Sequence, residues 1–185
     1  MRTLLTFLTT AALLLGAPVA HAAPPELPAI PVGVFGWPLG GMPTGAPASG
    51  AGTVARRFTP PPTPYGRGHR GADLVAAPGA PVTAAGPGVV VQAGPLAGRG
   101  VVSVVHAGAL RTTYEPVAAV VAPGAVVARG TVLGTLDAGH AGCPAAACLH
   151  WGLRWARDAA PARERYLDPL LLVGLGRTRL WPVVR

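Results

Sequence analysis

From Val54 onward, turn residues recur so often that no stretch between them has room for a long helix. Val89-Val90-Val91, Val101 to Val105, Thr112-Thr113-Tyr114, Val126-Val127 and Thr131-Val132-Leu133 are rich in β-branched residues, which suit a pleated, half-buried surface. Between them stand Ala77-Pro78-Gly79, Gly86-Pro87-Gly88, Gly98-Arg99-Gly100 and Ala122-Pro123-Gly124, each a turn signal. No window carries the 3.6-residue period of a long amphipathic helix. Asp158 to Leu172 has room for a short helical turn, interrupted by Pro161 and Pro169. The pattern predicts a mainly β domain of short antiparallel strands.

Composition narrows this further. Gly (26) and Pro (22) make about a quarter of the 185 residues, yet half the chain is hydrophobic and only 12% is charged. That excludes wholesale disorder and charged helical bundles. Ala77-Pro78-Gly79-Ala80-Pro81-Val82 is echoed by Ala122-Pro123-Gly124-Ala125-Val126-Val127, and a Val-rich strand follows each, at Val89 and at Val132. Two such units can clasp into one small barrel or sandwich. The echo is similar to the hybrid barrel of biotinyl and lipoyl carriers. Every one of the 15 Lys+Arg residues is Arg, however, so a carrier lysine, a Schiff-base lysine and a P-loop lysine are all excluded.

The chain divides into three parts. Residues 1–22 read as a secretory signal peptide: Arg2, an apolar run from Leu4 to Leu15, then Ala20-His21-Ala22 before Ala23. The run falls short of the roughly 20 residues that cross a bilayer, and no later segment offers a stable span. No Cys follows it, which excludes lipoprotein modification. Residues 23–52, rich in Pro, Gly and Ala, read as a linker. Within it Trp37-Pro38-Leu39 is either an apolar latch or exposed chain. Residues 53–185 form the domain. All but one of the 15 arginines lie after Ala22, against 7 acidic residues. A basic exported chain meets anionic cell-wall polymers. Scattered arginines with few aromatics make a poor nucleic-acid signature.

Chemistry-bearing residues concentrate in two places, Gly68-His69-Arg70-Gly71-Ala72-Asp73 and Cys148-Leu149-His150-Trp151-Gly152-Leu153-Arg154. Two imidazoles and a carboxylate form a zinc donor set that leaves a fourth position for water. An H-x-x-x-D alone is a weak signal. It gains specificity from a strand-borne His about 80 residues later.

With these motifs the sequence resembles the lysostaphin-like, or LytM-type, zinc endopeptidases, which cut peptide bridges in peptidoglycan. The resemblance covers about Tyr65 to Leu172. It includes Pro78-Gly79-Ala80-Pro81-Val82, Gly88-Val89-Val90, Val101 to His106, Tyr114, Val132-Leu133-Gly134 and Asp168-Pro169. It implies a small antiparallel β barrel-sandwich hybrid, with zinc held by His69, Asp73 and His150. Two positions depart from the family pattern. Cys148 stands where the first His of an H-x-H is usual, and Pro116, in Tyr114-Glu115-Pro116-Val117, stands where another auxiliary His is usual. A general acid–base group contributes about 10²–10⁴ in rate. Glu115, His106 and His140 are the visible candidates to replace the missing ones.

Cys148 has two readings. Residues 148 and 150 of a strand share a face, so the thiol can be a fourth ligand that closes the site. Alternatively it pairs with Cys143: the export signal, the even count of 2 Cys and the short intervening loop favour a disulfide. Closing so short a loop stabilises by roughly 2 kcal/mol on the chain-entropy model. The resulting expectation is a secreted zinc metalloendopeptidase acting on peptidoglycan peptides. The alternative is a weak or silent LytM-like module that binds wall or regulates another hydrolase. A third reading is a purely structural zinc domain.

Overall fold

The computed structural model describes residues 30, 33–40, 53–63, 66–156 and 164–176. The signal segment 1–22, Pro161 and most of the linker lie outside these.

Each Val- or Thr-rich run is a strand, and the turns between them are too short for anything but antiparallel pairing. The larger sheet has the order β1 (Val54–Arg56), β2 (Gly71–Ala76), β10 (Ala147–Ala156), β6 (Leu110–Glu115), β5 (Arg99–Val105), β4 (Gly88–Leu96) and β8 (Val126–Val127). On the side of β10 where β2 stops, β11 (Glu164–Leu167) continues the pairing. The smaller sheet has the order β3 (Pro81–Thr83), β9 (Val132–Leu136) and β7 (Val117–Ala119). Only 3-10 turns interrupt the strands among the described residues. At Pro169–Val173 the proline opens the turn rather than breaking it. Asp168 caps it by accepting from Leu170 N at 3.0 Å, and a proline at the first position gives up no needed N–H.

The sequence echo is a structural pseudo-repeat. Gly79 N donates to Leu136 O at 2.7 Å, and Leu136 N donates back to Ala80 O at 2.9 Å. In the second unit Gly124 N donates to Val90 O at 2.8 Å, and Val90 N returns to Ala125 O at 2.9 Å. Each unit therefore lends its first strand to the other: β3 pairs with β9, and β8 pairs with β4. Gly79 (φ +80°) and Gly124 (φ +90°) hold the left-handed turns that start this exchange.

The segment before the domain is a latch. Phe35 and Leu39 are buried. Gly36 N donates to Ala85 O at 2.7 Å, Thr83 N donates to Pro38 O at 2.8 Å, and Leu39 bridges Val82. Trp37 lies 6.1 Å, ring to ring, from Trp151.

Along β6, Leu110, Thr112 and Tyr114 point into the core. There the Tyr114 hydroxyl accepts from Ala85 N at 2.9 Å and is hydrogen-bonded to the Thr112 hydroxyl at 2.8 Å. Burial pushes the Tyr114 phenol up to about 12. His106 ends this chain: Nδ1–H donates to Pro87 O at 2.7 Å, and Nε2 is hydrogen-bonded to the Thr112 hydroxyl at 2.8 Å. Desolvation lowers the pKa of the ring, opposed in part by the Pro87 carbonyl. A depressed folded-state pKa means the unfolded chain takes up the proton first. The contribution of His106 is thus complete above its unfolded value, about 6.5, and is lost as pH falls below that value. Melting curves of the protein and its His106→Asn variant at pH 7.5 and 5.5 check this. The variant, with no ring to protonate, should show the smaller loss on acidification, and equal losses would contradict it.

Candidate metal centre

The register of two central strands assembles the site. Asp73 on β2 lies directly across from His150 on β10. His69 precedes β2 and is fixed by a two-way bridge to Thr59: Thr59 N to His69 O at 2.9 Å and His69 N to Thr59 O at 2.8 Å. His69 Nδ1–H donates to Arg57 O at 2.9 Å, which turns the Nε2 lone pair inward. Nε2 lies 2.9 Å from Asp73 Oδ1 and 3.1 Å from His150 Nδ1, and His150 Nδ1 lies 2.8 Å from the same oxygen. Gly71 makes room for this. A Cβ there would come within 2.6 Å of His150 Nε2 and 2.4 Å of Trp151 O, so a side chain would displace the ring.

Electrostatics fit a cation. Burial alone would push the Asp73 carboxyl up, but the His150 and His69 rings set against its Oδ1 outweigh it. They hold the carboxyl well below the usual carboxylate range. Its second oxygen, Oδ2, is buried with no hydrogen-bond partner. The three ligand atoms lie within 4.8 Å of one another. Two inward nitrogens, one anionic oxygen and an orphaned carboxylate oxygen are the donor chemistry that zinc takes.

Of the three acid–base candidates, the fold brings one fully into the site. His140 Nε2 lies 3.2 Å from Asp73 Oδ1, and its ring centroid is 5.7 Å from that of His150. Its Nδ1–H donates to Ala141 O at 2.9 Å, so Nε2 carries the lone pair. The side chain is 18% exposed, so solvent reaches it. Three imidazole nitrogens thus surround one carboxylate oxygen. His140 belongs to a loop fastened to β10 by the Cys143–Cys148 disulfide and by Cys143 N to His140 O at 3.0 Å and Gly139 N to Ala146 O at 3.2 Å. With its sulfur in that bond, Cys148 is not a fourth ligand.

The other two candidates are placed elsewhere. Glu115 sits opposite His150 on β6, but Arg99 holds both its oxygens, at 2.8 and 3.1 Å. His106 serves the core network, through Thr112 on the face of β6 opposite to Glu115. A group that the sequence reading passed over shares the face of the metal centre: Arg154 on β10 lies across from Arg111 on β6 and Tyr166 on β11. Its only signal was Arg154, four residues beyond His150.

The chain is similar to several known proteins. The model of peptidase family M23 matches residues 67–169. An uncharacterised protein of Mycobacterium tuberculosis is 46% identical over 170 residues, or 92% of this chain. The chain spans 60% of the length of that relative. Among solved structures, Csd3 of Helicobacter pylori superposes with a TM-score of 0.54 at 23% identity, covering 79% of this chain and 35% of that one. The catalytic domain of the antimicrobial peptidase lysostaphin from Staphylococcus simulans gives 0.53 at 21% identity, covering 66% and 92%. At these identities the two structures speak for the fold.

Proposed function

The chain belongs to peptidase family M23, and from that membership we propose that it is an exported zinc endopeptidase that hydrolyses peptide bonds of bacterial peptidoglycan. The observation that carries the reading is the convergence of His69 Nε2, His150 Nδ1 and the Asp73 carboxylate. These three would hold the zinc. When bound, zinc supplies a Lewis acid for the scissile carbonyl and lowers the pKa of a water to about 7.

The remaining work falls to this chain's residues. The Arg57 carbonyl fixes the His69 tautomer, and Asp73 stays anionic at neutral pH. Nε2 of His140 takes the proton of the attacking water as its oxygen bonds to the carbonyl carbon. It returns that proton to the amine nitrogen as the C–N bond breaks. His140 thereby fills one of the two roles left open at Cys148 and Pro116. The expected signal segment directs export, and a net charge of +8 suits anionic wall polymers. Among the described residues no helix is long and apolar enough to cross a membrane.

The test is release of new amino groups from purified wall sacculi. The protein should release them, and a chelator or His150→Ala should stop it. His140→Ala should keep its zinc and lose about 10²–10⁴ in kcat. If the untreated protein releases no more than His150→Ala, the enzyme reading fails. Retention of sacculi by both would then favour a silent wall-binding module.

A further inference from the structure

The face of β10 that carries His150 begins one row earlier, at Cys148. Alternation sends Ala147, Leu149 and Trp151 into the core and leaves Cys148 and His150 on the metal face. Cys148 is fully buried, yet it is no member of the hydrophobic core. Its sulfur is bonded to Cys143 in the loop 137–146. His140 of the same loop reaches Asp73 Oδ1 at 3.2 Å, so the loop lies over this face. Across the β2 register Cys148 faces Val75 and His150 faces Asp73. The sulfur and the metal ligands thus occupy neighbouring rows, about 7 Å apart along the strand.

The loop itself is weakly fastened. It contributes no side chain to the core, and all of its residues except His140 and Cys143 are exposed. Cys143 N to His140 O at 3.0 Å and Gly139 N to Ala146 O at 3.2 Å close it on itself. The disulfide is the bond that ties its middle, and with it His140, to β10.

We propose that the Cys143–Cys148 disulfide is a redox switch on the metal centre. Oxidised, it holds His140 beside Asp73 and leaves the fourth metal position open. Reduced by a dithiol, it lets His140 go and gives the metal the Cys148 sulfur as a fourth protein ligand. Sulfur is among the donors zinc takes, and four protein ligands close a zinc site to water. The exchange balances. One reductant sulfur attacks Cys143 Sγ, the half-buried end of the bond, and the S–S electron pair leaves with Cys148. The second reductant sulfur then displaces Cys143. The reductant becomes a disulfide, its thiol protons pass to the two cysteines, and Cys148 yields its proton to solvent when it takes the metal. The consequence for hydrolysis rests on the peptidase reading; the change of ligand does not.

Cobalt(II) is the probe. Zinc-free protein is kept oxidised, or is reduced with a dithiol that gel filtration under argon then removes, and each form is loaded with cobalt. The reduced protein should show a sulfur-to-cobalt charge-transfer band in the near ultraviolet. The oxidised protein should lack it, and reoxidation should abolish it. Cys143→Ser, which frees Cys148, should carry the band permanently, and Cys148→Ser should never carry it. Release of zinc to a competing chelator should be roughly tenfold slower from the reduced protein. Fragment release from sacculi should fall about 10²–10⁴-fold on reduction, with zinc still bound, and return on reoxidation. A reduced protein without the band overturns the proposal, as does a band in Cys148→Ser. Loss of the fold on reduction, read by circular dichroism, overturns it too, since a switch needs two folded states. If Cys143→Ser does not fold, the reduced unaltered chain carries the same test. Equal cleavage in both states, with the band present, also overturns the switch. An oxidised protein that cleaves nothing sinks the peptidase reading and leaves the band to decide the change of ligand.

Discussion

Alanine at His150 or at His69 is expected to take the protein from one bound zinc per chain to essentially none. The reason lies in the donor count. Three protein ligands are the usual complement of a catalytic zinc site, and here two are imidazoles whose nitrogens face each other at 3.1 Å. Removing either leaves a single nitrogen and one carboxylate. His140 does not repair the deficit, since it is not among the three atoms that converge within 4.8 Å. His140→Ala is therefore the control and should retain its metal. Zinc analysis after gel filtration in the presence of a weak chelator reads the difference. Full zinc in both His69→Ala and His150→Ala would remove the assignment.

The second large effect concerns stability. Trp151→Ala should cost about 3–5 kcal/mol, as such truncations do in packed cores. That is a large part of the roughly 5–15 kcal/mol that holds a domain together. Trp151 is fully buried. It lies across from Tyr114 on one side and Ala72 on the other, with the Trp37 latch near its ring. Because it alternates with His150 and Gly152 along β10, its packing also fixes the angle at which the metal face is presented. Denaturant midpoints of the protein and of Trp151→Phe and Trp151→Ala should fall in that order. A loss under about 1 kcal/mol for Trp151→Ala would show that Trp151 does not anchor the core.

The features visible in the sequence were the local ones. Valine runs bounded by Pro-Gly turns mark strands because alternation and turn chemistry act over a few residues. The Ala-Pro-Gly echo marked a real exchange, since the same turn donates the same pair of hydrogen bonds in both units. His69, Asp73 and His150 were legible as a donor set from spacing and the family resemblance, although their convergence needed the β2–β10 register. What spacing could not settle depended on cross-strand neighbours. Glu115 looked available until the β5–β6 hairpin brought Arg99 onto both its oxygens. His106 looked like an active-site candidate until Thr112 proved to face the core. Trp37-Pro38-Leu39 read equally as latch or linker because its contact surface, Val82 to Ala85, lies more than 40 residues away. The group of Arg111, Arg154 and Tyr166 was hidden for the same reason: its members are far apart in sequence and meet only through β10.

The central claim is that His69, Asp73 and His150 form a metal centre beside which His140 is held. Its most direct measurement is anomalous diffraction from crystals of the domain grown with one equivalent of zinc, recorded on both sides of the zinc absorption edge. The account predicts a single strong peak about 2 Å from His69 Nε2, His150 Nδ1 and an Asp73 oxygen, with the His140 ring adjacent but not bonded. No peak, or a peak that omits either His69 or His150, would contradict it.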